Sequence, residues 1–360
     1  MADKKNLLGY SLVELEKFFH DINEPSFRAK QLLKWVHQKG ELDFDRMSNF
    51  NKDLRIKMKE IAVLIPPKLK KVLVSEDGTK KYLIQLDSGS SIEMVRIPEK
   101  KRITLCISSQ AGCALQCTFC ATGAQGFEKN LSADEIIGQL WLANFNDKKD
   151  TPITNVVFMG MGEPLLNFEP VITSAEIMRN EFAYFLSKKR ITISTSGLIP
   201  QINKLADRTD VSLAISLHAA DDSLRDIIVP INKKYPIDNL LEACKNYLSV
   251  QKDNRHITIE YILIDGINDS IDHARSLSKI LTGLACKINL IPFNPFDGCD
   301  YNRSKDKNIE VFRKHLFNKG FITTLRVTRG DDIDGACGQL VGNLKKATQG
   351  KKVIERQAVA

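Results

Sequence analysis

Apolar residues recur at helical spacing through the first sixty positions. Ser11-Leu-Val-Glu14 fits a capping box, and Leu12, Leu15, Phe18 and Phe19 then share one helical face. A second stripe of Phe27, Leu32, Leu33 and Val36 and a third of Leu54, Met58 and Ile61 predict two more helices, before Pro66-Pro67 breaks the pattern. The spacing thus predicts a small helical domain over 1–67. From 68 to 108 the texture changes to short alternating runs, Lys70–Val74, Tyr82–Leu86, Ile92–Ile97 and Ile103–Ser108, with turns at Asp77-Gly78 and Ser88-Gly89. These predict a β-meander that leads into the main domain.

Beyond residue 130, strands and helices alternate. Apolar runs of strand length at 155–159, 190–194, 211–217, 257–264, 287–291 and 321–327 are separated by helix-length segments, among them 132–145, 171–182, 237–249 and 270–282. Repeated β-α units make the strands parallel, and about six of them predict a partial (β/α)6 barrel over 109–345 with its chemistry at the C-terminal strand ends. The fold class expected is α/β: this barrel, a helical accessory domain and a linking meander, followed by a polar tail at 346–360.

Composition narrows the classes. With 43% apolar and 27% charged residues the chain is neither disordered nor fibrous. No run approaches the ~18 consecutive apolar residues of a membrane span, and Met1-Ala-Asp-Lys-Lys5 lacks the apolar stretch of a signal peptide. We expect a cytoplasmic protein with no membrane contact. In that reducing compartment the eight cysteines are ligands, nucleophiles or core residues rather than a disulfide framework. The formal charge of +8 suits a polyanionic partner, and residues 1–72, with 15 Lys/Arg against 10 Asp/Glu, hold +5 of it. The same excess fits an ordinary solvated helical surface, so charge permits RNA binding without establishing it.

Gly112-Cys113-Ala-Leu-Gln-Cys117-Thr-Phe-Cys120 places three thiols within eight residues. Their spacing also describes one face of a buried helix. Against that, Gly112, Thr118, Phe119, Thr122, Gly123 and Gly126 are poor helix formers, so the stretch reads as a loop around a metal centre. Three ligands suit an iron–sulfur cluster with one open iron; a closed zinc site needs a fourth Cys or His, and no histidine lies between His37 and His218. The CxxxCxxC spacing resembles the motif of the radical S-adenosylmethionine (SAM) superfamily. That resemblance implies a [4Fe-4S] cluster on Cys113, Cys117 and Cys120, whose free iron binds SAM and passes it an electron to release a 5′-deoxyadenosyl radical. Phe119 matches the aromatic position near the adenine of SAM. Gly162-Glu163, which follows an apolar strand, matches the segment that receives the methionine ammonium, and Ser194, Ser216, Leu217, His218 and Asn294 match further SAM-contacting positions. Read without that context, His218 would be a satisfied core histidine.

Strand alternation in Ile103–Ser108 puts Cys106 with Thr104 and Ser108, off the plainly apolar face. Cys337 lies between Gly335 and Gly338, in a stretch suited to a flexible or tight loop. Cys244, on a helical stripe with Leu240, Leu241, Tyr247 and Leu248, and Cys286, at a buried-type strand, read as core residues; Cys299 is open to either reading. With the cluster motif, Cys106 and Cys337 make the chain resemble the RlmN/Cfr group of dual-specificity RNA methyltransferases from about residue 10 to about residue 350.

The resemblance implies that Cys337 is methylated by one SAM, that a second SAM supplies the radical that activates this methyl group, and that the resulting carbon adds to an amidine carbon of adenine. Cys106 then resolves the adduct by forming a disulfide with Cys337. Glu93 is cast as proton acceptor. It alternates with Val95 and Ile97, on an apolar face where burial would favour the neutral carboxyl; the competing reading is an exposed glutamate on an edge strand. The partners implied are 23S rRNA and tRNA, with an electron donor such as flavodoxin, and the protein is expected to be a monomer. Thr328-Arg-Gly-Asp-Asp-Ile-Asp334 resembles the RlmN branch, which methylates C2 of an adenosine in the peptidyl transferase centre and of the adenosine 3′ of certain tRNA anticodons. The Cfr branch methylates C8 of the same ribosomal adenosine. C2 methylation is the expectation, with C8 methylation and a non-catalytic RNA-binding protein with a structural metal site as the competing readings. Either methylation requires the base to leave its stack, which makes the basic helical module over 11–62 a natural reader of RNA shape.

Overall fold

The computed structural model describes residues 4–147, 150–251 and 253–342, so the tail expected at 346–360 lies outside the described residues. Helix α1 (Leu12–Asp21) starts on the expected capping box: Ser11 Oγ accepts the Glu14 N–H at 3.3 Å, and Glu14 Oε2 accepts the Ser11 N–H at 2.7 Å. α2 (Phe27–Leu33) runs on as a π-helical turn over Lys34–Gln38, and α3 (Lys52–Ile61) begins at Asn51, whose side chain accepts the Leu54 N–H. Leu15, Phe18, Phe19, Leu32, Leu54 and Met58 point into the same hydrophobic cluster as the barrel core. At roughly 1.5–3 kcal/mol for each large side chain buried, this face fixes the helical unit to the barrel flank. Trp141 Nε1 donates to the Val36 carbonyl at 3.0 Å across the junction.

Ten strands form one sheet in which each strand pairs with its neighbours in the chain. β1 (Lys68–Val74), β2 (Lys80–Gln85), β3 (Ser91–Glu99) and β4 (Arg102–Cys106) are antiparallel, as the alternating runs predict. β4 then pairs in parallel with β5 (Asn155–Phe158). The parallel run continues through β6 (Ile191–Thr195), β7 (Ser212–Ser216), β8 (Ile257–Leu263), β9 (Cys286–Pro292) and β10 (Ile322–Leu325).

All six strands expected after residue 130 are present, and β4 joins them. The last strand of the meander is therefore also the first parallel strand, and the repeating units begin one strand earlier than the periodicity suggests. The connections are α4 (Ala133–Phe145), α5 (Phe168–Arg179), α6 (Ile199–Arg208), the pair α7 (Asp222–Ile228) and α8 (Ile237–Val250), α9 (Ile271–Ile280) and α10 (Asp306–Asn318). With helices on the outside, the C-terminal strand ends all open at one rim.

Candidate active site

Just past β4, Gln110–Gly112 pairs antiparallel with Phe127–Asn130, and this ribbon closes the segment between them into a loop. The Cys113 N–H donates to Gly126 O at 2.9 Å, and the Cys120 N–H to Cys117 O at 3.1 Å. Helix appears only at Ala121–Gln125, after the three cysteines. The buried-helix reading of their spacing therefore fails. Gly112 has φ +71°, and any side chain there would strike the Gly126 carbonyl, so the close turn requires glycine.

Cys113, Cys117 and Cys120 wall one cavity together with Phe119, Gly162, Glu163, Ser194, Ser216, His218 and Cys337. Burial pushes the Cys113 thiol up to about 12 and raises Cys117 as well, with the neighbouring thiols adding to both. Thiols so held become thiolates when a metal displaces their protons. Among the described residues no three His, Cys, Asp or Glu side chains converge on the position of a single metal ion. Three sulfur donors on one cavity wall fit an iron–sulfur cluster with one iron left open to a ligand.

Glu163 stands at the strand end beside these thiols. Its Oε2 accepts the Ser196 N–H at 2.9 Å and its Oε1 the Leu165 N–H at 3.1 Å. Burial pushes the carboxyl up to about 7, and those N–H donors pull against the rise. Gly162, at φ +95°, lies so close to Gln110 that an added Cβ would overlap that side chain. Gln110 in turn accepts the Glu163 N–H at 2.8 Å.

His218 combines two of the readings its sequence context allows. Its backbone takes φ +63°, its Nδ1 accepts the Ile262 N–H at 3.1 Å, and Phe119 packs edge-on at 4.6 Å. Burial pushes the imidazole down to about 3, so the ring is neutral with its proton on Nε2. It is a satisfied buried histidine that also lines the cavity. The Ser194 and Ser216 hydroxyls meet at 3.4 Å. Leu217 is buried in the core and offers only its backbone, its N–H donating to Glu260 O at 3.1 Å. Asn294 is absent from the cavity wall; its Nδ2 donates to Cys337 O at 3.1 Å and its Oδ1 accepts from Thr328 Oγ1 at 3.1 Å.

Cys106 ends β4 in a buried position. Burial pushes its thiol up to about 12, Cys337 adds to this, and Arg326 opposes it. Cys337 is raised by burial too, again against Arg326. Both are free thiols. The glycine-flanked Cys337 segment is of the tight kind: Gly338 O accepts the Ala121 N–H at 2.8 Å, and Leu340 O accepts from Thr122 Oγ1 at 2.6 Å.

Glu93 lies on an interior strand, 2% exposed, so the edge-strand reading fails. The lone carboxyl expected on an apolar face also needs correction, because Glu93 has a counter-ion. Lys81 Nζ is 3.3 Å from its Oε1, and the Val341 N–H donates to its Oε2 at 3.0 Å. The pair faces a second cavity of about 510 Å³, which Gln125, Phe296 and Asp334 also line.

Arg225, Arg326 and Glu260 were not foreseen. Arg225 is fully buried and donates to Leu217 O at 2.9 Å, Ser196 O at 2.7 Å and Asn232 Oδ1 at 2.8 Å, tying the ends of β6 and β7 together. On a short helix it reads as a surface residue. Glu260 did carry a signal, being one charge inside the apolar run Ile257–Leu263.

The chain matches the family model of the ribosomal RNA large subunit methyltransferase N-terminal domain over residues 5–64 and that of the radical SAM superfamily over 107–277. It is 52% identical over 352 residues to the dual-specificity RNA methyltransferase RlmN of Marinobacter nauticus, covering 97% of this chain and 95% of that protein. A crystal structure of a radical SAM methyltransferase from Sphaerobacter thermophilus aligns with a TM-score of 0.88 at 38% identity, over 94% of this chain and 100% of that one.

Proposed function

Because this chain belongs to the RlmN family of dual-specificity RNA methyltransferases, we propose that it methylates C2 of an adenosine in the peptidyl transferase centre of 23S rRNA and of the adenosine 3′ of certain tRNA anticodons. Membership of that family favours C2 over C8 and displaces the reading as a non-catalytic metal-site protein. It is a radical SAM enzyme, and its cofactors are a [4Fe-4S] cluster and SAM. The observation that carries the residue assignments is the meeting of two further free thiols, Cys106 and Cys337, with Arg326 beside the cavity that the three loop cysteines wall.

Cys113, Cys117 and Cys120 would hold the cluster, which would supply the electron that makes SAM a source of the 5′-deoxyadenosyl radical and would accept the one electron that the substrate gives up. Everything else falls to the chain's own side chains. The Cys337 thiolate, favoured by Arg326, would take the methyl group of a first SAM by displacement, the sulfonium S–CH3 bond breaking and its electron pair staying on the departing S-adenosylhomocysteine. Glu163 would take the ammonium of a second SAM and Phe119 would lie by its adenine, with Gly162, Ser194, Ser216, His218 and the Leu217 backbone shaping the seat, and SAM so held would supply the radical that draws a hydrogen atom from that methyl. Asn294 steadies the Cys337 carbonyl. The methylene carbon bonds to C2 of adenine, and Glu93 takes the C2 proton. Cys106 thiolate then attacks the Cys337 sulfur, the C–S electron pair passes to the methylene carbon, and that carbon picks up a proton as the new methyl group. The thiols finish as a disulfide that a reductant reopens.

A helical RNA-reading unit over 1–67 belongs to the same proposal, followed by a meander from 68 whose last strand, β4, is also the first strand of the barrel; an electron donor such as flavodoxin, a monomeric state and a cytoplasmic location belong to it too. Among the described residues no helix is long and apolar enough to cross a membrane. The test is mass spectrometry of digested rRNA and tRNA from cells with and without the protein. We expect 2-methyladenosine that disappears with the protein; 8-methyladenosine in its place, or an unchanged profile, overturns the reading.

A further inference from the structure

The buried pair of Lys81 and Glu93 reaches both ends of the segment that carries Cys337. Lys81 Nζ donates to Asp334 O at 3.2 Å, three residues before the thiol, while Glu93 Oε2 accepts the Val341 N–H at 3.0 Å, four residues after it. Both side chains are almost wholly buried, at 4% and 2% exposure. The ion pair at 3.3 Å therefore joins the carboxylate to the loop at a point where neither partner is screened by water.

We propose that Lys81 is the positioning residue of the proton-transfer step, holding the Glu93 carboxylate in the cavity that it lines together with Asp334 and Val341 of the Cys337 segment. This rests on the role proposed above for Glu93. A proton acceptor works only if its oxygen is held within reach of the proton it takes, and the 3.3 Å ion pair with the Lys81 ammonium fixes the Glu93 carboxylate from one side while the Val341 N–H fixes it from the other. Because the same ammonium holds Asp334, the acceptor and the carbon on Cys337 stay in register with one another. The proton taken from C2 ends on Glu93, and Lys81 exchanges none.

The test uses the reconstituted full-length enzyme with SAM, reductant and labelled RNA, comparing wild type, Lys81→Met, Lys81→Arg, Glu93→Gln and the Lys81→Met/Glu93→Gln double variant. Lys81→Met should keep iron, SAM cleavage and methylation of Cys337, accumulate the covalent Cys337–RNA adduct, and lose methylated RNA by about 100-fold or more, the scale of general base catalysis. Lys81→Arg should restore product. The double variant should behave as Glu93→Gln alone. Unimpaired turnover in Lys81→Met overturns the proposal, and so does loss of Cys337 methylation, which would mean that Lys81 acts only by shaping the loop. The double variant keeps the test open if Lys81→Met alone does not fold, since it buries no lone charge. Absence of an adduct in Cys106→Ala under the same conditions overturns the reading of the site itself, and this proposal with it.

Discussion

Burial takes the ionisation of Glu163 up to about 7, and the N–H groups of Leu165 and Ser196 draw it back by bonding the charged form. An ammonium seated against it removes the remaining cost of the charge. Glu163→Gln keeps an oxygen for one of those N–H groups but loses the charge, so SAM affinity should fall by about 10- to 100-fold, the worth of a hydrogen bond to a charged group at 1.5–3 kcal/mol. Iron and sulfide should stay at wild-type levels. Equilibrium binding of SAM to the reconstituted variant checks this, and an unchanged affinity removes Glu163 from the ammonium site. Glu163 was legible through the resemblance of Gly162-Glu163 to the segment that follows the cluster loop in radical SAM proteins, since a glycine turn alone is a weak signal. Lys81 and Arg225 were not, because nothing in a lysine on an alternating strand or an arginine on a short helix tells which way it faces once its neighbours pack.

At the scale of elements, the segment after β5 must turn sharply enough to bring Glu163 to the rim. Gly162 makes that turn at φ +95°, against the Gln110 side chain whose Oε1 holds the Glu163 N–H. Gly162→Ala adds left-handed strain of about 1–2 kcal/mol and an overlap with Gln110 of about 1–3 kcal/mol. We expect a loss of at least about 2 kcal/mol in urea unfolding of the cluster-free protein, together with weaker SAM binding; stability within about 0.5 kcal/mol of wild type would show that the turn relaxes freely. Helices α1 to α3 could be read in advance from a cap and apolar stripes, because period and capping are local properties. The double role of β4 could not. An alternating run such as Arg102–Cys106 looks the same whether its neighbour runs parallel or antiparallel, and only the sheet shows that it does both.

For the whole molecule, the sheet order settles which distant segments meet. β4 is the first parallel strand, and the chain after β10 returns to lie on the loop that follows the cluster cysteines, so that Cys106 and Cys337 share Arg326. The residues alone did not predict that meeting; family resemblance implied it, and the geometry now gives it a physical test. Cys337 carries the carbon that bonds to adenine, so Cys337→Ala has no atom with which to join the RNA and should give no adduct. Cys106 acts only afterwards. Cys106→Ala should form the adduct and fail to resolve it, because no second thiolate remains to attack the bridging sulfur. Glu93 does not substitute, since a carboxylate moves a proton but cannot complete a disulfide. Denaturing electrophoresis with labelled RNA, followed by mass spectrometry of the linked peptide, should find a stable species in Cys106→Ala, attached at Cys337, and none in Cys337→Ala. Equal crosslinking by both variants, or attachment at another residue, would mean that the two thiols have been given the wrong roles.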